Sequence, residues 1–218
     1  MGKVTNGANG SVSGTMGSAV FCRWKDIDYV RSKPRINKNR KPTKNQKKQQ
    51  TKFSFIQEYL SPVVPLVRLG FMEYAPNRTG HNSAMSYNIK EAVEETENGY
   101  RIIPEKFMFS KGILPVAKQV HAEQEGSDIV FSWGYDNKDD KEHKNSYNRT
   151  LLLLYPENQQ HYYPIAHIMG NHRVDKQERI SISGTNKGVI LHTYLAFFSN
   201  DGSNQSSDSI YAGSIEVQ

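Results

Sequence analysis

The ten residues VILHTYLAFF, Val189–Phe198, are apolar at odd and even positions alike. A strand that buries one face alternates apolar with polar, because successive side chains point to opposite sides of the sheet. Apolar residues on both parities suit a strand covered on both faces, at the centre of a sheet. LLLLY, Leu151–Tyr155, has the same character. Ile129, Phe131, Trp133 and Tyr135 alternate with Val130, Ser132 and Gly134, which indicates a half-buried strand. Glu105–Ser110, Val116–Glu123, Tyr162–Met169, Arg179–Ser183 and Ile210–Val217 are further strand candidates, and Gly184–Gly188 and Asn200–Ser209 are turn or loop signals. This succession of short strands implies an antiparallel β-sandwich of immunoglobulin or fibronectin-like kind over residues 99–218.

Upstream of Asn98-Gly99 the pattern changes. Gly7, Gly10, Gly14 and Gly17 punctuate the opening at intervals of three or four, which suggests loops and bulges and matches no phosphate-binding loop. SAVFCRW, a KDID turn and YVRS predict a short hairpin. Arg31–Pro42, bounded by Pro34 and Pro42, is expected to be extended. A helix should begin at Thr43, which with Gln46 fits a capping box, and Phe53, Ile56 and Leu60 share one arc of it. Ser61-Pro62 signals a second short helix running to Gly70, and Ser83–Glu94 is a weaker third candidate. The expected class is therefore α+β, mainly β. Residues 1–98 form a hairpin, a basic arm and short helices, and residues 99–218 form the sandwich.

The chain of 218 residues is 36% hydrophobic, enough to bury a core, and carries 28 basic against 22 acidic residues. That balance hides a segregation: Arg31–Lys52 holds ten basic residues and no acidic one, leaving 18 basic and 22 acidic elsewhere. A mildly acidic body thus carries a strongly basic segment. The lone Cys22 forms no internal disulfide and is expected to be a buried structural thiol. The start of the chain lacks the apolar core of a secretory signal, and no run approaches the roughly 18 apolar residues of a membrane span. These features point to a cytoplasmic protein without membrane insertion.

Positive charge in the first turns of a helix opposes its dipole, which suggests that an anionic surface lies nearby. A solvated or partner-covering connector explains the segment; nucleic acid is an alternative, and a membrane surface a further one. No aromatic occurs between Tyr29 and Phe53, so the arm offers bases no stacking platform. His161, His167 and His172 match no zinc spacing and are expected to be satisfied strand or loop histidines, with His192 buried and hydrogen-bonded. The carboxylates of EAVEETE, Glu91–Glu97, and DNKDDKEH, Asp136–His143, suggest solvated faces that could receive a neighbouring copy's basic arm. In the second cluster, Lys138 and Lys141 stand where a calcium loop needs an oxygen ligand and a glycine. Neither a nucleophile elbow nor a Cys-His signature is present.

The opening NG-x-x-G-x-x-x-G-x-x-G (Asn6–Gly17), VRSKP (Val30–Pro34) and KPTKNQ (Lys41–Gln46) leading into FSFIQEYLSPV resembles a family of proteins without known function common in the Bacteroidota. Similar openings occur in proteins encoded near phage tail genes. The resemblance covers roughly the first 70 residues and, loosely, the end of the chain, and implies no activity and no catalytic residues.

The expected function is a non-enzymatic structural or interaction module, without cofactor or metal, that docks to an acidic protein surface or to itself. Arg31, Arg35, Arg40, Lys41, Lys44, Lys47 and Lys48 are the candidate contact residues. The alternatives are nucleic-acid binding through the same residues, and a carbohydrate-binding sandwich using Trp24, Trp133 or the Tyr162-Tyr163 pair.

Overall fold

The computed structural model describes residues 3–4, 12–24, 27–35, 41–74, 78–97, 99–136, 145–158 and 162–218. They fall into two units, Met1–Lys44 and Asn45–Gln218.

The first unit is an antiparallel sheet in chain order, β1 (Lys3–Val4), β2 (Val12–Met16), β3 (Ala19–Trp24) and β4 (Ile27–Ser32). The β3–β4 hairpin forms as the sequence indicates, in register from Ala19 opposite Ser32 to Trp24 opposite Ile27. Lys25 and Asp26 of its expected turn lie outside the described residues. The glycine-rich opening is not only loop, because Gly14 (φ 105°) and Gly17 (φ 58°) absorb the positive-φ bends and leave Val12–Met16 free to pair with β3. Cys22, expected to be buried, is only partly covered.

Helix α1 (Lys44–Leu60), which belongs to the second unit from Asn45 onward, starts one residue after Thr43. Its buried face is Ile56, Tyr59 and Leu60, continued by Val63 at helical spacing. Phe53, expected to pack, is 53% exposed; Phe55 takes that role beside Tyr100, with ring centroids 6.1 Å apart. A single 3₁₀ turn, Ser61–Val63, leads into α2 (Val64–Gly70), as the Ser-Pro signal indicates. Helix α3 (Gly80–Glu91) begins three residues earlier than expected, because the Thr79 hydroxyl accepts the Asn82 N–H at 3.2 Å and caps it. It also ends sooner: Val93–Thr96 (β5) pairs with Gly99–Ile102 (β6) in a tight hairpin allowed by Gly99 at φ 134°. Glu105–Ser110, expected to be a strand, is a 3₁₀ turn at Pro104–Lys106 followed by irregular chain. Side chains satisfy its backbone: Asn88 accepts from the Met108 N–H at 3.0 Å, and Ser209 from the Phe109 N–H at 3.2 Å.

The remaining strands build the sandwich. They are β7 (Lys118–Glu125), β8 (Asp128–Gly134), β9 (Arg149–Pro156), β10 (Ile165–His172), β11 (Gln177–Ser181), β12 (Ile190–Phe198) and β13 (Ile210–Glu216). One antiparallel sheet runs β10-β9-β12-β13 and the other β11-β8-β7. The doubly apolar strands β9 and β12 lie side by side at the centre of the larger sheet. Their two parities part company as the sequence implies. Leu151, Leu153, Tyr155, Tyr194, Ala196 and Phe198 pack against the helices. Leu152, Leu154, Leu195 and Phe197 pack with Ile129, Phe131 and Trp133 of the smaller sheet. Each such buried side chain stabilises the fold by about 1.5–3 kcal/mol relative to exposure. No helix among the described residues is long and apolar enough to cross a membrane.

Candidate functional site

The candidate contact residues divide between the units. Arg31 lies one residue before the end of β4, opposite Val20, Arg35 follows in irregular chain, and Lys41 precedes α1; all are exposed. Arg40 lies outside the described residues. Lys44, Lys47 and Lys48 occupy the first turns of α1, where no acidic residue stands. Lys48 Nζ meets Glu95 Oε2 of the β5–β6 hairpin at 2.6 Å, and this bond and the carboxylate's charge raise its pKa. The Tyr100 hydroxyl donates to the Lys48 carbonyl at 3.2 Å, so Lys48 sits in the seam between α1 and that hairpin. Arg31, Lys33, Arg35, Lys41, Lys44, Lys47 and Lys52 make no ion pair among the described residues.

The sheet these cations extend is unusual. None of residues 12–24 or 27–35 is buried, every residue of β4 is exposed, and Met16 (59%), Ile27 (51%) and Val30 (59%) stand open. Small sheets are stable when a hydrophobic face is packed, and among the described residues β2, β3 and β4 bury no such face.

A cleft of about 710 Å³ opens in the second unit where α1 meets the ends of β9 and β10. Its floor is Tyr59 stacked on Tyr155, with centroids 4.2 Å and planes 8° apart, and the Tyr155 hydroxyl donates to the Tyr59 carbonyl at 2.7 Å. Burial raises both phenol pKa values, so both stay protonated and fixed. Phe55, Tyr162 and Tyr163 form the walls, with Tyr163 87% exposed, and Glu58 and Glu157 stand at the rim. Asn186 donates to the Tyr162 oxygen at 3.0 Å. A second hollow of about 370 Å³ shares Phe55, Tyr59 and Glu157 and adds His192, whose Nδ1 lies 3.1 Å from the Tyr211 hydroxyl. Burial lowers the His192 pKa against the pull of Glu157 and Glu105. Glu58, Glu105 and Glu157 form no ion pair among the described residues. The combination can hold a flat or cationic group over aromatic faces with carboxylates beside it.

The other singled-out groups serve the fold. Trp133 is buried and donates its indole N–H to the Arg173 carbonyl at 2.8 Å, so it offers no sugar platform, while Trp24 on β3 is 40% exposed. His167 lies 3.4 Å from Glu178, a buried carboxylate that accepts from Thr150 and from the Asn171 N–H and pins the β10 bulge. His172 accompanies Asp175, which accepts the His172 N–H at 2.8 Å. In the Glu91–Glu97 run, Glu94 pairs with Arg101 at 2.6 Å and Glu95 with Lys48. His161 and most of Asp136–His143 lie outside the described residues. The serines of the Asn200–Ser209 loop are structural. Ser206 donates to the Gly70 carbonyl at 2.7 Å, and Ser207 accepts the Phe197 N–H at 2.9 Å.

A family model described as a family of unknown function, DUF6266, matches residues 9–213. The chain belongs to the DUF6266 family. A comparison with curated proteins gives no match. The DUF6266 match takes in β2–β4 as well as the sandwich and its helices. Of the cleft in this DUF6266 chain, only the Tyr162-Tyr163 pair was marked by sequence. Phe55, Tyr59 and Tyr155 come from segments about a hundred residues apart, and only the aromatic content hinted at them.

Proposed function

We propose that this protein is a non-enzymatic interaction module whose basic segment, with the sheet it extends, docks on an acidic protein surface. The observation that carries this reading is a mismatch: Arg31, Arg35, Lys41, Lys44 and Lys47 are exposed without an ion-pair partner among the described residues, and the chain enters this segment from strands in which none of residues 12–24 or 27–35 is buried. Unpaired cations next to uncovered apolar side chains are the composition of a surface that another molecule completes. The hydroxyls of Ser110, Ser206 and Ser207 are engaged with backbone groups, which favours a structural role for the serine-rich loop. The strand order β11-β8-β7 and β10-β9-β12-β13 supports a fibronectin-like sandwich, an architecture widely used for recognition. A bacterial or phage-derived assembly, implied by the opening motifs, is a setting that would supply such a partner.

Intrinsic fluorescence tests the reading, since Trp24 lies in the first unit. Titration with poly-L-glutamate, DNA and RNA at two salt concentrations should show poly-L-glutamate binding that weakens with salt and is not exceeded by nucleic acid. Absence of poly-L-glutamate binding in dilute salt would refute the proposal. Tighter nucleic-acid binding with a log–log salt slope of several units would replace it with the nucleic-acid reading.

A further inference from the structure

We infer that the acidic partner is a second copy of this chain, its aromatic cleft between α1 and β9–β10 receiving the basic segment of the first copy. The inference rests on the docking reading above and names its partner.

Charge argues for a head-to-tail contact. Residues 1–44 hold ten basic and two acidic residues, a net of +8, and the rest holds eighteen basic and twenty acidic, a net of −2. Two first units brought face to face would set +8 against +8, so a symmetric contact through β4 is opposed by repulsion. A first unit set against another copy's second unit meets the opposite sign.

The cleft offers more than a general negative field. Glu58 and Glu157 stand at its rim without an ion-pair partner among the described residues, and the exposed Tyr163 faces the solvent beside them. A guanidinium or ammonium entering there gains a carboxylate and an aromatic face together, an arrangement that strengthens as water leaves. The incoming chain has the matching grammar: Arg31, Arg35, Lys41 and Lys44 follow the uncovered apolar residues Ile27 and Val30. Lys48 already faces Glu95 of its own copy and is not counted among the incoming cations. The contact joins two different surfaces, so two copies can exchange it reciprocally in a two-fold dimer or repeat it into a ring or longer chain, and each of these is association that salt should reverse.

Sedimentation velocity on the full chain at low and high salt gives the first test. The expected result is concentration-dependent association at low salt that salt reverses. The decisive test is a charge exchange: Glu58→Lys with Glu157→Lys in one variant, and Arg31→Glu, Arg35→Glu and Lys41→Glu in another. Each alone should sediment as a monomer with unchanged circular dichroism, and an equimolar mixture should associate again. A wild-type chain that stays monomeric at low salt overturns the inference, as does a cleft variant that associates like wild type. Compaction independent of concentration overturns it too, since the segment would then fold onto its own copy. If poly-L-glutamate still binds the monomeric wild type, only the identity of the partner falls and the docking reading stands.

Discussion

The sheet of the first unit and the β9–β12 pair of the second are both short antiparallel ladders, yet they solve opposite problems. In β9 every residue from Thr150 to Pro156 is buried, with helices on one face and a second sheet on the other. In β4 every residue is exposed, although Ile27, Tyr29 and Val30 have the side chains of a packed strand. Hydrogen-bonded pairing is common to both, so pairing alone does not secure a sheet; covered apolar area does. The second unit carries its own cover. The first unit carries instead a concentration of charge and apolar surface that an outside surface would cover.

The largest effect that would sharpen this contrast comes from the doubly covered strands. Leu153→Ala should cost about 2–5 kcal/mol in urea unfolding, because a cavity opens between tightly packed layers. Val30→Ala in β4 should stay within about 0.5 kcal/mol in the same measurement. Equal losses would break the comparison.

Next comes Gly70→Ala. A Cβ at Gly70 would lie 2.5 Å from the Phe109 carbonyl oxygen and 2.8 Å from Ser110, whose backbone cannot retreat cheaply. The expected loss is about 1–3 kcal/mol, with the wild-type fold retained in far-ultraviolet circular dichroism. A neutral result would mean that the serine-stitched loop yields, contrary to the bonds from Ser110 and Ser206 to the Gly70 carbonyl.

Alkali should then separate the tyrosines. Burial raises the pKa of Tyr59, Tyr155 and Tyr194 above the unfolded value near 10. An acid group with a raised native pKa contributes stability that is fully present below the unfolded value. That stability is lost as pH climbs toward the native value. Phenolate absorbance should therefore rise for the exposed tyrosines first, and for these three only with unfolding. Gradual ionisation of all twelve tyrosines before unfolding would contradict the packed aromatic floor.

The smallest effect belongs to Lys48→Ala. The Lys48–Glu95 pair is short but open to solvent, and such pairs contribute little. The unfolding midpoint should hardly move. Binding to poly-L-glutamate should be nearly unchanged as well, in contrast to Arg31→Glu with Arg35→Glu.

How much of this was legible follows from the range of each signal. The centre of the sandwich could be read directly, because parity within β9 and β12 is set by neighbours in sequence. The start of α1 and the Ser61-Pro62 break were equally local. The β5–β6 hairpin and the irregular Phe107–Ser110 run were not, since Asn88 and Ser209, distant in sequence, satisfy the latter's backbone. Phe53 was misassigned, and Phe55 passed over, because a helical wheel fixes relative angles but leaves open which arc the hairpin covers. The basic segment was plain from composition. The cleft was nearly invisible, because its aromatics and carboxylates converge only once α1 lies against β9.

Amide hydrogen exchange followed by mass spectrometry tests the central contrast most directly. In dilute protein at high salt, peptides covering β3 and β4 should exchange fast while those covering β9 and β12 stay protected. At low salt with poly-L-glutamate added, protection should rise from β4 through the start of α1. Protection of β3–β4 equal to that of β9–β12 in dilute high salt, with no change on adding the polyanion, would contradict the account.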